Sequence, residues 1–403
     1  MSNSKVISLF TGAGGLDYGL EVAGFSTAVA VEMDRDCGNT LRANRDWPVI
    51  ERDIMEVSSD ELMRTAKLKV GQATLLVGGP PCQPFSKAGY WSRGDALRLD
   101  DPRANTLSSY LRVLEDTRPH AFLLENVEGI AYRGKDEGLR LLLDAIEGIN
   151  KRTRSKYRPT FQVLNAADFG VPQVRRRVLM VGVRDGSEFQ FPQPTHSEDP
   201  APLAGLEPYR TAWDAIGDLQ SPVDEDLAMR GQWADLLPSI PEGNNYLWHT
   251  DRMGGMPLFG WRRRYWSFLL KLAKRLPSWT IQAQPGPAIG PFHWDNRRLS
   301  MRELCRLQTF PDDVNITGSR VAVQRQVGNA VPSLLGEVMG RAIRRSVLGE
   351  KFASTPLLLP NRRDPVPPPA VPAPVPRRFW KLRGLHTPHP GTGLGNAAML
   401  RSE

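Results

Sequence analysis

The sequence predicts an α/β protein: a doubly wound, largely parallel sheet domain with a smaller, irregular domain inserted into it. Three observations predict this. Over roughly residues 1–190, short apolar runs alternate with helical stretches, the pattern of strands covered by helices on both faces. Over roughly 190–295 that alternation stops, and turns and tryptophans take its place. Over roughly 296–350 helical periodicity returns. The expected division is therefore a large domain built from 1–190 plus 300–350, a smaller domain at 191–299, and a tail at 352–403.

Residues 6–10, 28–31, 74–77, 121–124 and 178–183 read as buried parallel strands, being apolar on both faces, with a short strand near 49–50. Residues 106–115 and 137–149 carry helical spacing. In the middle region seven of the chain's ten tryptophans fall between Trp213 and Trp294. Residues 261–276 repeat aromatic and apolar side chains at helical intervals and predict a helix there. Ser300 followed by Glu303 has the spacing of a capping box and predicts a helix at 300–307. A second helix is predicted over 331–347, with Pro332 in its first turn and Gly349 just past its end. Its apolar stripe needs a sheet or helices to cover it, so it should return to the first domain. Arg341, Arg344 and Arg345 are expected on its exposed side or near its carboxyl end. The last stretch, with VPPPAVPAPVPRR at its centre, predicts an extended or disordered, dispensable tail.

Composition excludes several classes. No apolar run is long enough to span a bilayer, and the amino terminus lacks a secretory core, so a cytoplasmic protein is expected. The three cysteines, Cys37, Cys82 and Cys305, are too few and too scattered for a disulfide framework, and no Cys/His spacing suits a metal. A net charge of +8 suits a polyanionic partner.

Four segments carry chemistry. FTGAGG, residues 10–15, is a glycine-rich turn after the first strand, where a ligand can approach the backbone closely, as in Rossmann-like folds. Glu32 and Asp53 sit at the ends of the next two strands, where carboxylates suit ribose hydroxyls and an adenine amine. GGPPCQPFS, residues 78–86, wraps Cys82 in glycines and prolines at the carboxyl edge of the sheet. A structural cysteine has no need of such scaffolding, whereas a nucleophile must be held in place. Residues 86–101 look able to close over a substrate. ENV at 125–127 offers Glu125 as an acid near that cysteine. QVRRR at 173–177 would point Arg175 and Arg177 to one face of a strand.

The ordered set FTGAGG, GGPPCQPFS, ENV, QVRRR, RELCRLQTFPDD at 302–313 and QRQVGNAVP at 324–332 resembles the blocks of DNA cytosine-5 methyltransferases of the bacterial restriction-modification type. The resemblance covers most of residues 5–350 and does not extend to 190–295 or beyond 352. It implies S-adenosylmethionine as cofactor, held by Phe10, Ala13, Gly15, Glu32, Met33, Asp53, Ile54, Leu107 and Asn329. It implies Cys82 as the covalent nucleophile attacking C6 of a flipped-out cytosine. Glu125 would contact N3 and the 4-amino group, Arg177 would hold O2, and Arg175 would support the loop or a phosphate. The 191–299 domain would read duplex DNA, with Ser86, Arg262, Arg263 and Arg264 as DNA contacts. A monomer is expected, with a cognate restriction endonuclease as a companion that forms no stable complex with it. Two rival readings are a transfer-RNA cytosine methyltransferase and an inactive DNA-binding homologue. The second should have lost Cys82, Glu125 or the glycine loop, and all three are present.

Overall fold

A computed structural model describes residues 4–81, 104–128, 137–200, 205–220, 222–261, 265–352 and 354–384. Cys82, Ser86, the 86–101 loop and Arg262–264 lie outside the described residues.

Seven strands form one sheet: β1 (Ser4–Leu9), β2 (Phe25–Val31), β3 (Val49–Ile50), β4 (Leu75–Gly78), β5 (Ala121–Val127), β6 (Thr160–Asn165) and β7 (Arg176–Val183). Their order is β3-β2-β1-β4-β5-β7-β6. Successive side chains of one strand serve opposite faces. Leu75 and Val77 enter one apolar layer and Leu76 the other; Ala121 and Leu123 likewise oppose Phe122 and Leu124. One layer is covered by α1 (Gly15–Val22) and the late helix described below. The other is covered by α3 (Ser59–Ala66), α4 (Ala104–Thr117) and α5 (Glu137–Thr153), while α2 (Arg35–Asn44) links β2 to β3. Each strand side chain buried in this way contributes about 1.5–3 kcal/mol.

The strand expected at 178–183 is present, but it runs antiparallel to both of its neighbours, β5 and β6. The reason is its connection. Only residues 166–175 separate β6 from β7, which is too short for a crossover. Strand β6 itself escapes a search for runs apolar on both faces, because Phe161 and Gln162 are exposed on the edge of the sheet.

Beyond the sheet come a two-stranded ladder, β8 (His196–Ser197) with β9 (Glu207–Pro208), and the helices α6 (Ala212–Ile216), α7 (Met301–Leu307), α8 (Arg320–Asn329) and α9 (Ser333–Leu348). The capping box at Ser300 forms: Glu303 N donates to Ser300 Oγ at 3.1 Å and Ser300 N donates to Glu303 Oε2 at 2.7 Å. Pro332 is the residue before α9, and Gly349 ends that helix at φ 66°. Helix α9 packs on α1 with backbones in close approach. A Cβ on Gly19 would run into Ser333 O, and one on Gly336 would lie 2.7 Å from Leu16 O. Its apolar residues Leu334, Leu335, Met339 and Ile343 join the layer that contains Val6 and Leu75. Of the three arginines expected on the exposed side or near the carboxyl end, Arg345 is exposed in the last turn, whereas Arg341 and Arg344 are buried, paired with Glu337 at 2.6 Å and with Glu350 at 2.7 Å.

Two other expectations fail. Residues 265–276 are not helical; Phe268 and Lys271 form isolated bridges to Ile289 and Phe292. Phe268, Leu269, Leu270, Lys271 and Leu272 are all buried, so neighbouring chain surrounds the segment and no single helical face is presented. Nor are residues 354–384 a free tail; residues 385–403 of the expected tail lie outside the described residues. Residues 354–384 lie along the protein, and Phe379 is buried in an apolar cluster with Leu236, Tyr246, Phe259 and Phe268. This cluster draws on residues 229–292 and 375–382, whereas Ala212, Ile216, Trp294 and Leu299 pack with Tyr18 and Phe310. Among the described residues no helix is long and apolar enough to cross a membrane.

Candidate active site

In an open α/β sheet the place where strand order reverses leaves a crevice at the carboxyl edge. Here β1 turns outward to β2 on one side and β4 on the other, and a cavity of about 490 Å³ opens at that edge.

The first wall is the turn from β1 into α1. Phe10 has φ 54°, a left-handed conformation that is rare for a bulky residue, and Gly12 and Gly14 follow at φ 58° and 81°. Glu32, at the end of β2, holds this turn: its Oε2 accepts from Gly12 N at 2.7 Å and its Oε1 from Asp34 N at 2.8 Å. Burial raises the Glu32 carboxyl above its usual range, opposed by the Gly12 and Met33 amides. Gly15 closes the wall, since a Cβ there would collide with Val331 O. Asp17, in the first turn of α1, is 1% exposed and faces the same cavity. Its Oδ1 has no partner among the described residues, and burial pushes its carboxyl up to about 7.

The second wall is the start of the proline loop. Gly79, Pro80 and Pro81 line the cavity, and Cys82 is the next residue in the chain. Asn126 Nδ2 donates to Pro80 O at 3.3 Å, and Thr106 Oγ1 to Pro81 O at 3.4 Å, so β5 and α4 anchor the loop's first residues. Gly79 lies so near Glu125 that a Cβ would be 2.7 Å from its Oε2.

The third wall comes from β5 and β7. Because these strands are antiparallel neighbours, Glu125 meets Arg177, and Arg177 Nε lies 2.8 Å from Glu125 Oε1. The alternation expected of the arginines is present: Arg175 and Arg177 face the cavity and Arg176 faces outward. Arg175 is 1% exposed. It donates to Gly328 O at 2.8 Å and Ile281 O at 3.4 Å, contacts that support the wall and leave it no surface on which to meet a phosphate. Burial pushes this guanidinium well below its usual range.

Asn329 and Ala330, at the end of α8, complete the cavity. Of the residues predicted to hold a cofactor, Phe10, Gly15, Glu32, Met33 and Asn329 line it. Ala13, Asp53, Ile54 and Leu107 are not among its lining residues. Ala13 packs with Tyr18, Ile54 and Leu107 lie in the layer under Phe10, and Asp53 accepts from Met55 N at 2.9 Å. The prediction missed Asp17, Asp34 and Arg325. Arg325 of α8 pairs with Asp34 and, at 2.7 Å, with Asp36, tying α8 to the start of α2. The signal for Asp34 was present, as an N-cap aspartate just after Glu32-Met33. Nothing local could have paired it with a residue almost three hundred positions away. Cys37 also faces the cavity, but burial, Glu32 and Asp36 push its thiol well up; burial does the same to Cys305.

Fold and cavity thus define a class: an α/β enzyme with a cofactor-sized crevice at the switch point of its sheet, bordered by a carboxylate–guanidinium pair. Comparison with known proteins gives the family. Residues 4–345 match the family of C-5 cytosine-specific DNA methylases, and the chain belongs to that family as a DNA (cytosine-5-)-methyltransferase. It is 41% identical over 367 residues to the type II methyltransferase M.SacI of Streptomyces achromogenes, covering 84% of this chain and 92% of that one. It is 33% identical over 346 residues to M1.HphI of Haemophilus parahaemolyticus, covering 84% and 86%. A crystal structure of a putative prophage-encoded DNA modification methyltransferase from E. coli shares the fold, with TM-score 0.60 and 23% identity over 86% of this chain and 99% of that one.

Proposed function

We propose that the enzyme methylates C5 of a flipped-out cytosine within a specific sequence of duplex DNA, through a covalent adduct with Cys82 and with S-adenosylmethionine as cofactor. One observation carries this reading: the loop that leads into Cys82 and the Glu125–Arg177 pair border the same cavity. The residues present fit such a cofactor. The cavity of about 490 Å³ is in the range of small-molecule sites, Gly12 has open space where a Cβ would stand, and Glu32 is fixed at its edge.

Bound there, S-adenosylmethionine supplies an electrophilic methyl group. The chain's residues prepare the base to receive it. The Cys82 thiolate bonds to C6, and the C5–C6 π electrons move to C5, which becomes nucleophilic enough for methylation. Glu125 contacts N3 and the 4-amino group and stabilises the protonated ring, while Arg177 holds O2. Loss of the C5 proton to a base returns the electron pair, re-forms the double bond and expels Cys82. The base must leave the duplex to reach this pocket. The type II relatives favour a place in a restriction-modification system; a monomeric methylase and a separate endonuclease that forms no stable complex with it complete the proposal.

A duplex containing 5-fluorocytosine tests the chemistry, because fluorine cannot leave as a proton and the adduct persists. The adduct is expected on Cys82 and absent in Cys82→Ser, whereas Cys37→Ala and Cys305→Ala still form it. An adduct on either buried cysteine would refute the assignment. Transfer RNA assayed beside duplex DNA should not be methylated.

A further inference from the structure

The residues after 352 lie past the stretch that matches the family, and their composition alone describes a loose tail. Their contacts describe something else. The segment starts on the catalytic side. Glu337 of α9, fully buried, accepts from Leu357 N at 2.7 Å and Leu358 N at 2.9 Å, and Arg341 donates to Ser354 O at 2.6 Å. It next crosses α6, where Arg363 N donates to buried Asp214 Oδ1 at 2.9 Å and Arg363 pairs with Asp218 at 2.9 Å. It ends on the distal apolar cluster of residues 229–292. There Phe379 stacks on Trp233 with ring centres 5.6 Å apart and planes 14° apart, and Arg378 pairs with Asp235 at 2.8 Å. Between these anchorages, Arg275 donates to Val366 O at 3.0 Å and Ala373 N to Pro238 O at 3.0 Å.

We propose that residues 354–384 are a strap that sets the position of the DNA-reading region against the catalytic sheet, with Phe379 as its terminal positioning residue. The inference rests on the reading that residues within 191–299 meet DNA. The anchors are more than solubility requires, since at one end backbone amides reach the buried carboxylates of Glu337 and Asp214 and at the other the Phe379 ring is itself buried. The span between them contains Pro365, Pro367, Pro368, Pro369, Pro372, Pro374 and Pro376. Proline-rich chain is a semi-rigid spacer of about 3.1 Å per residue, so it fixes a distance where a glycine-rich chain would only limit one. Without the strap the distal cluster is held by its two chain connections and by packing through residues such as Leu272 and Ile281. With it, the loop is closed a third time, and DNA meets a surface already in place, which lowers the ordering cost of binding.

The test cuts the strap in the full-length protein. A protease recognition sequence replaces residues 368–372, which are exposed, Val371 at 91%. Uncut, this protein keeps both anchorages but lacks Pro368, Pro369 and Pro372, so its KM for duplex DNA should lie within about threefold of wild type. After cutting, the KM for duplex DNA should rise about tenfold, with kcat at saturating DNA and affinity for S-adenosylmethionine within about twofold of the uncut enzyme. Phe379→Ala should act in the same direction and Phe379→Trp, which keeps a ring on Trp233, should restore the KM. An unchanged KM in the cut enzyme overturns the proposal. Equal loss of cofactor affinity also overturns it, because the segment would then support the whole fold. Failure of the uncut enzyme to methylate DNA would instead refute the proposed function.

Discussion

Gly79→Ala tests the geometry of the site with a single methyl group. The new Cβ would lie 2.7 Å from Glu125 Oε2, while the next atoms, Glu125 Cδ and O, are at 3.8 and 3.9 Å, ordinary contact distances. Only the tip of one flexible side chain has to yield, so the fold should tolerate the change. Reaching normal contact requires the carboxylate oxygen to retreat by about 0.7 Å, taking the usual limit near 3.4–3.5 Å. That carboxylate also holds Arg177, 2.8 Å from its other oxygen. Displacement by this amount moves the acid and disturbs the cation that the proposed mechanism places on the two edges of the base. Misplacing a reacting group by about 1 Å costs on the order of 10²-fold in rate. Methyl transfer from labelled S-adenosylmethionine to duplex DNA should therefore show kcat reduced by about one to two orders of magnitude. Cofactor affinity and melting temperature should remain near wild type. A kcat within about twofold of wild type would refute the view that Glu125 works from this position against Gly79. A large fall in melting temperature would refute the steric argument itself.

Two more predictions concern acids around the cavity. Glu32→Gln removes a carboxylate that holds the glycine turn, and should weaken S-adenosylmethionine binding by about tenfold or more in calorimetry. Asp53→Asn, at a residue that does not line the cavity, should change it by less than about threefold; equal effects would place Asp53 in the site after all. Asp17→Asn should stabilise the protein at alkaline pH. A carboxyl held at about 7 in the fold, against an ordinary value of 3.8, makes ionised Asp17 destabilising by up to about 4 kcal/mol. Its folded pKa is raised, so the penalty is absent below about pH 4 and complete above about pH 7. Denaturation at pH 8 should show the variant more stable by a few kcal/mol, and at pH 4 no difference; a constant gap would refute the assignment.

The parts of the fold visible in the sequence were those fixed by local pattern. Strands β1, β2, β4 and β5 are buried on both faces and so read as uninterrupted apolar runs. The direction of β7 is not a local property. It follows from the ten residues available between it and β6, and β6 hides because an edge strand need not be apolar on both sides. The helix expected at 261–276 shows the opposite error. Helical periodicity signals one buried face, but residues 268–272 form a continuous buried run that can carry the same spacing by chance, and Lys271, buried against Ile240 O, is the residue that breaks the pattern.

The site divides in the same way. Motifs exposed Glu32, Glu125 and Arg177 because each sits at a strand end or beside a turn whose composition is constrained by function. Asp17 was hidden inside a helix-start sequence that explains itself as GGLDYG, where an aspartate in the first turn is favoured by the helix dipole alone. What betrays it is burial with one carboxyl oxygen unpartnered among the described residues, and burial is a property of the assembled walls. Arg175 makes the same point more strongly. The sequence offered it as one of three consecutive arginines, and the family resemblance gave it the loop or a phosphate to support. In the fold it joins carbonyls of residues 281 and 328, so one buried side chain ties the 191–299 region, the end of α8 and the strand that carries Arg177. A guanidinium with no carboxylate paired to it among the described residues is costly to bury, and two terminal nitrogens meeting fixed carbonyls offset part of that cost, while Nε has no partner among the described residues. The end of α8, the strand that carries Arg177 and the chain at Ile281 therefore share one hydrogen-bonded corner of the cavity.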